Sequence, residues 1–560
     1  MRLLQPFHGR RRRPASKTAR VAAGLLALGG SLPLALGADD AQHLQALLPG
    51  EPDGDRAAAF EHARTAGDPR YLPPLVDLLR MADTPEEWFR ILDAVGGILG
   101  EDVRSLERPW RNLTLRLAED DEQAFLPGYA AWKGELLARL VDPRFRQFLN
   151  ADVASRVRLD EVVWGGVGVD GIPALHQAPT IRGQDATYLD ANEPVFGVAL
   201  GGEARAYPLR ILDWHEMAND VVSGVAVALA YCTLCGSGVL YETQVGERTF
   251  HFGSSGLLMR SNKLMYDRET HSLWNQLSGE PVVGELATSG IQLKVRSLVL
   301  TSWGEWLSRH PETSVLDPDT GFDREYRLGA GYGSYFASPE TMFPAYRRQP
   351  ATSGDGLDPA KERLYVVRVD GHAEAFEVET LARAGLHHAR VGEQTIVLIH
   401  AGGAGDMMLK AETLSALGRD GSRPALASEL SLEDLQRVWK AHPDQIDAEL
   451  LLAVGTRVRL AFLAWAESPT DPSTPRLPSL LRDEVALRGL IGDVRAYESG
   501  GRTFTHERGA SHVTDADGKR WEVREDQLVD DEGNSLARVP GHLIYRFGWE
   551  AFLSGTPVHR

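Results

Sequence analysis

FGVALGGEARAY, residues 196–207, closes an apolar run that begins at Pro194 and turns at Gly201-Gly202. A short apolar run bounded by glycine reads as a strand entering a turn. The same texture returns at residues 365–376 as YVVRVDGHAEAF. Three further echoes follow in the same order. Tyr241-Glu242 with Gly246 to Phe250 matches Tyr497-Glu498 with Gly500 to Phe504; Asp267 and Trp274 match Asp515 and Trp521; Val295 to Gly304 matches Val539 to Gly548. Four blocks repeated in register imply a duplicated domain, whose second copy carries a helix-rich insertion near residues 405–490.

Upstream, the pattern is helical from about residue 38 to 150. Leu72, Leu75, Val76 and Leu79 share one stripe, and Thr84-Pro85-Glu86-Glu87 supplies a cap, a first-turn proline and a glutamate at the third position. This is one helical hairpin of the HEAT repeat type or a plain bundle. After Trp164-Gly165-Gly166 the chain changes to short β-rich runs; Val225 to Tyr231 is almost wholly apolar and predicts a buried strand. The expected fold class is α+β: a helical N-terminal domain, then a duplicated glycine-rich, β-containing domain. The boundaries are a leader over 1–37, helices over 38–150, the first copy over 151–330, a linker over 331–358 and the degenerate second copy over 359–560.

Both cysteines of the chain fall in YCTLCGS, residues 231–237. Counting forward from the shared aromatic positions Tyr207 and Phe376, Cys232 lies opposite Ala401, Cys235 opposite Ala404 and His215 opposite Ala384. A pair needed only by the fold would recur in both copies, so chemistry is expected in the first. A Cys-x-x-Cys-Gly turn lets two thiolates meet one zinc, copper or iron ion, with His215 and His251 as the nearest imidazoles. Asp213, Glu216, Ser237, Asp267 and Arg268 are possible supporting groups. A thiol-disulfide redox protein is the alternative, although no helix follows the pair to depress a thiol. A non-enzymatic interaction scaffold, with a protein partner at the helical domain, is the third. Ser254-Ser255-Gly256 reads as a turn rather than a nucleophile motif. Trp274, Trp303, Trp306, Tyr231 and Tyr266 are rich in aromatic surface, but the recurrence of Trp274 as Trp521 marks that one as packing.

The first residues run from a basic stretch, Arg10 to Arg13 with Lys17 and Arg20, into the apolar Val21 to Leu36 and the small Ala35-Leu36-Gly37. That order predicts a cleaved signal peptide and a periplasmic or secreted protein. Losing these residues, seven basic and none acidic, would take the net charge from −18 to −25. Such a balance argues against a nucleic-acid partner. Nothing later in the sequence is long and apolar enough to span a membrane.

Several motifs in order carry a resemblance. They are Val163 to Val167 with Asp170 to Leu175, Asp213-Trp214-His215-Glu216 with Asn219-Asp220, Tyr231 to Ser237, and Met265 to Arg268 with Ser272 to Gln276. Together they resemble the bacterial domain of unknown function 3179 family over roughly residues 155 to 320. The resemblance implies a shared fold and no assigned activity.

Overall fold

The computed structural model describes residues 33–346, 356–401, 407–410, 413–414, 417, 426–507, 509–553 and 558–559. The expected leader up to residue 32, and Ala404, lie outside the described residues. The N-terminal region is helical: α1 (Pro33–Ala46), α2 (Asp53–Ala66), α3 (Leu72–Met81), α4 (Pro85–Leu99), α5 (Pro109–Glu119) and α6 (Tyr129–Leu140). In α3 the stripe Leu72, Leu75, Val76 and Leu79 is buried. Thr84 caps α4 by accepting from the Glu87 N–H, and Gly100 ends the helix with φ 68°, a left-handed value that glycine takes without strain.

A first β unit follows. It opens with β1 (Val162–Trp164), β2 (Leu175–His176), β3 (Thr180–Arg182), β4 (Pro194–Leu200) and β5 (Glu203–Pro208). Then come α7 (Leu209–His215), β6 (Met217–Val222), β7 (Val225–Cys232), β8 (Ser237–Glu242), β9 (Gln244–Val245) and β10 (Arg248–Thr249). It closes with β11 (Phe252–Met259), β12 (Asn262–Asp267), β13 (Leu273–Asn275), β14 (Glu280–Val283), β15 (Lys294–Arg296), β16 (Val299–Ser302), α8 (Trp303–Arg309) and β17 (Ser314–Leu316). The expected linker contains α9 (Gly333–Ala337), which is buried.

The second unit runs through β18 (Arg363–Val369), β19 (His372–Glu377), α10 (Val378–Ala384), β20 (Leu386–Val391) and β21 (Gln394–His400). Among the described residues, α11 (Leu432–Ala441), α12 (Ala448–Ala453), α13 (Thr456–Glu467) and α14 (Ser479–Arg488) then intervene. The sheet resumes with β22 (Val494–Glu498), β23 (Phe504–Thr505), β24 (His512–Asp515), β25 (Arg520–Val523), β26 (Gln527–Asp530), β27 (Ser535–Val539) and β28 (Gly541–Tyr545), and ends with α15 (Arg546–Leu553) and β29 (Val558–His559).

The pairings of the two units run in parallel. The hairpin β4–β5 is flanked by antiparallel β16 and parallel β17; the hairpin β18–β19 is flanked by antiparallel β28 and parallel β29. Likewise β6, β7, β8 and β15 are neighbours in one sheet, and β20, β21, β22 and β27 in another. Side-chain anchors repeat as well. Trp274 Nε1 donates to Asp267 at 2.7 Å and Trp521 Nε1 to Asp515 at 3.0 Å. Tyr241 Oη donates to the Gln276 carbonyl and Tyr497 Oη to that of Arg524.

The units meet face to face. Phe196, Leu229 and Leu240 of the first share one apolar core with Leu364, Leu543 and Ile544 of the second and Phe462 of α13. The Asp493 N–H donates to the Leu300 carbonyl at 3.0 Å, and the Tyr545 N–H to that of Cys235 at 2.8 Å. Ser254-Ser255-Gly256 proves to be strand rather than turn: it lies in β11, where the register against β12 shifts between Ser254 and Leu258. Gly256, at φ +77°, absorbs that irregularity.

Candidate functional site

Strand β7 delivers Cys232 at its end, opposite Ser237 on β8. Between them the chain reverses through Thr233, Leu234, Cys235 and Gly236, closed by a Gly236 N–H to Thr233 carbonyl bond of 3.2 Å. Gly236 has φ +57°, and a Cβ there would sit 3.0 Å from the Tyr545 ring, so both conformation and space call for glycine. The turn thus brings both sulfurs to one end of the sheet. Both cysteines are free thiols and buried.

Their surroundings differ. The Cys235 thiol donates to the Ser261 carbonyl at 3.2 Å, and the Asn262 amide approaches its sulfur at 3.6 Å. Asn262 is held by Gln276 Oε1 at 2.9 Å, and Gln276 donates to the Ala230 carbonyl at 2.8 Å. Ser261 arrives through a two-residue hairpin turn in which Arg260 and Ser261 both take positive φ, 47° and 63°. Such turns favour Asn-Gly. Here the strained pair is pinned by Arg260 to Glu161 at 2.7 Å and by the Ser261 hydroxyl to the Pro344 carbonyl at 2.6 Å. Strain held in this way accompanies functional sites.

Glu216 ends α7 in a left-handed conformation, φ 53°, which turns its carboxylate toward the cysteine turn. It accepts from the Thr233 hydroxyl at 2.8 Å and lies 3.4 Å from the Lys263 ammonium, both residues being buried. Burial on its own raises the Cys232 thiol. The adjoining Cys235 side chain and the backbone N–H groups of Lys263 and Cys235 more than offset burial and the Glu216 charge, leaving Cys232 below its ordinary value. Burial, followed by the Cys232 sulfur, pushes Cys235 well above.

The other expected site residues disperse. His215 is held by the Pro173 carbonyl at 2.7 Å and the Tyr326 hydroxyl at 2.5 Å, so both ring nitrogens are engaged away from the sulfurs. His251 is half-exposed and pairs with Glu269 at 2.8 Å. Asp267 holds Trp274 and the Thr270 hydroxyl, Arg268 holds Asp170 at 2.9 Å, and Ser237 donates to Gln276 at 3.2 Å. Asp213 is buried, and among the described residues neither carboxylate oxygen has a donor within ordinary hydrogen-bond distance. Among the described residues no group of three or more His, Cys, Asp or Glu side chains is placed to hold a metal ion.

The sequence reading missed Lys263, Asn262, Gln276 and the cover of the site. Tyr335 on α9 donates from its hydroxyl to the Leu234 carbonyl at 2.7 Å. Lys361 lies 3.4 Å from the centre of the Tyr335 ring and donates to the Tyr335 and Ser338 carbonyls at 2.5 and 2.9 Å. Burial brings this lysine down to about 7. Gln276 stood within one of those motifs; Lys361 and Tyr335 sit a hundred residues or more beyond the cysteines and left no local signal.

A model for the family described as "Protein of unknown function (DUF3179)" matches residues 169–468, more than half of the chain. The protein belongs to that family. The match starts just before β2, includes the cysteine turn and ends just beyond α13. No curated protein and no solved structure matches the chain. Among the described residues no helix is long and apolar enough to cross a membrane.

Proposed function

We propose that this is an exported protein with a thiol–disulfide redox centre at Cys232 and Cys235, carried by the first of two units that arose by duplication. The matching strand order, the two Trp–Asp bonds and the two Tyr–carbonyl bonds support the duplication. The basic and apolar order of residues 10–37 supports export, to a compartment where thiols are oxidised.

The redox reading rests chiefly on one observation: two free thiols share a turn but not an environment, since the Ser261 carbonyl and the Asn262 amide reach the sulfur of Cys235. A depressed Cys232 supplies the nucleophile, and Cys235 keeps its proton until needed. In the step proposed, the Cys232 thiolate attacks one sulfur of a substrate disulfide, and the other sulfur leaves as a thiolate. Cys235 then loses its proton and attacks Cys232 in the mixed disulfide, releasing the second substrate sulfur. The substrate gains two electrons and two protons, and the protein pair becomes a disulfide. The burial of both sulfurs favours a small disulfide substrate.

A two-coordinate soft ion is the second reading. Zinc sites and iron–sulfur centres need more donors than two sulfurs, whereas copper(I) accepts thiolates readily. The experiment serves both. Equilibrating the protein in glutathione buffers and mass-tagging its thiols should reveal a reversible intramolecular disulfide, and Cys235→Ser should trap a mixed disulfide. Thiols that stay reduced at equilibrium with oxidised glutathione would rule out the redox centre. Stoichiometric copper that disappears in Cys232→Ser would put the metal reading in its place.

A further inference from the structure

Beside the cysteine turn, in the seam between the two units, lies a second group of polar side chains without partners. Arg363 is buried, and among the described residues its Nε, Nη1 and Nη2 meet no acceptor; the Tyr231 hydroxyl and the Asp213 carboxyl face each other, likewise buried, with no partner inside ordinary hydrogen-bond distance. These three residues lie on β18, β7 and α7. Buried polar groups are nearly always hydrogen-bonded, so six such atoms on three neighbouring side chains need an explanation.

Their arrangement is compact. Arg363 stands opposite Tyr545 in the β18–β28 register, with its guanidinium carbon 5.6 Å from the Tyr545 ring centre. The same ring lies against Gly236, so Tyr545 separates Arg363 from the cysteine turn by one aromatic side chain. The Tyr231 hydroxyl is within electrostatic reach of Asp213, Tyr545, Arg363 and Cys232 together.

Among the described residues no acidic side chain pairs with this arginine. The buried Arg495 and Arg546 do find counter-charges: Arg495 lies 2.7 Å from Asp493 and 2.7 Å from Glu525, and Arg546 lies 2.6 Å from Glu362. Asp213 does not serve Arg363 in that way: no ion pair joins them, and the groups that act on its carboxyl are Glu216 and Tyr231, with burial and the Glu216 charge together leaving it raised above the usual range. A charged group that does act on it is another cation, Arg459, whose guanidinium is bonded to the Thr456 hydroxyl at 3.0 Å. A guanidinium buried without an acceptor is strongly unfavourable, and a carboxylate or tetrahedral oxyanion matches its planar fork.

We propose that Arg363 anchors a small anionic ligand in this seam, a carboxylate or an inorganic oxyanion, with the Tyr231 hydroxyl as second donor and the Tyr545 ring as one wall. Arg363 and Tyr231 are buried, so binding is expected to be slow and is best read at equilibrium. It does not depend on the cysteines being redox-active.

The test is thermal unfolding of the full chain at constant ionic strength, with chloride replaced stepwise by phosphate in one series and by acetate in another. A saturable rise in Tm is expected in at least one series. Phosphate alone would assign an inorganic oxyanion, and acetate alone the carboxylate of an organic acid. Arg363→Gln should weaken the apparent affinity by at least about tenfold, as loss of a charge-assisted pair does. Arg363→Lys keeps the charge but loses the fork and should fall between the two, which decides the matter should the glutamine variant not fold. The double variant Cys232→Ser, Cys235→Ser should respond as the parent does, separating this site from the redox reading. An unchanged Tm in both series, or equal responses from the parent and Arg363→Gln, would overturn the proposal.

Discussion

The two β units make the same reversal in opposite ways. In the first, β7 ends at Cys232 and β8 begins at Ser237, so a tight turn holds two sulfurs. In the second, β21 ends at His400 and β22 begins at Val494, and α11 to α14 fill the interval. The flanking strands keep their pairings, and the Trp–Asp and Tyr–carbonyl bonds recur. What the units share is therefore what holds the sheets together, and what they do not share is where reactivity is sought. The helical segment occupies the very position of the cysteine turn, which makes the second unit a natural control for the first.

The frame is the easiest part of the comparison to break. Trp274 and Trp521 are both buried, at 0% and 1% exposure, and each is tied to one aspartate. Trp274→Ala and Trp521→Ala should each lower the unfolding free energy by about 3–5 kcal/mol, measured by denaturant titration. A loss in one unit with none in the other would mean that the two tryptophans do not play the same part.

The seam and the body of the second unit also differ in how they treat buried charge. Glu525 sits between Arg495, at 2.7 Å, and Arg538, at 3.2 Å, and these cations, Arg495 above all, hold its carboxyl down at about 2 although burial opposes them. Glu525→Gln leaves two buried guanidinium groups short of an acceptor and should cost about 3 kcal/mol. Arg363, which has no counter-charge among the described residues, should behave in the opposite sense: Arg363→Met in chloride buffer should be neutral or stabilising by the same titration. Parallel losses from both substitutions would show that the seam is as well satisfied as the second unit.

Much of the frame was legible because its signals are local. Gly201-Gly202 and Asp370-Gly371 mark hairpins, and the recurrence of Trp274 as Trp521 points to packing before any contact is known. The cysteine pair was legible for the same reason, as both sulfurs lie in one turn. The ring partners of His215 were not: proximity in sequence pointed to the cysteines, whereas the imidazole bonds Tyr326, far along the chain. Arg363 and Tyr545 were beyond reach altogether, since an ordinary strand pattern carries them and only the docking of the second unit on the first brings them to the turn. Local periodicity specifies strands and helices; it does not specify which faces meet.

The smallest expected effect addresses the cysteines most directly. Cys232 and Cys235 are the only cysteines in the chain, so thiolate absorbance near 240 nm reports the first unit alone. One thiol should titrate below the ordinary value of about 8.5 and the other well above it. A depressed value means that, between it and the unfolded value, the unfolded chain binds the extra proton; the stabilisation is complete above the unfolded value and is lost as pH falls through the folded one. Glu216 opposes this, since its charge raises Cys232. Glu216→Gln keeps an acceptor for the Thr233 hydroxyl, removes that charge and leaves the Lys263 ammonium without its carboxylate. All of these favour the thiolate, so the lower titration should move further down, by roughly half a pH unit to one unit. A shift upward, or none, would mean that the carboxylate capping α7 fixes the shape of the turn without acting on its sulfur.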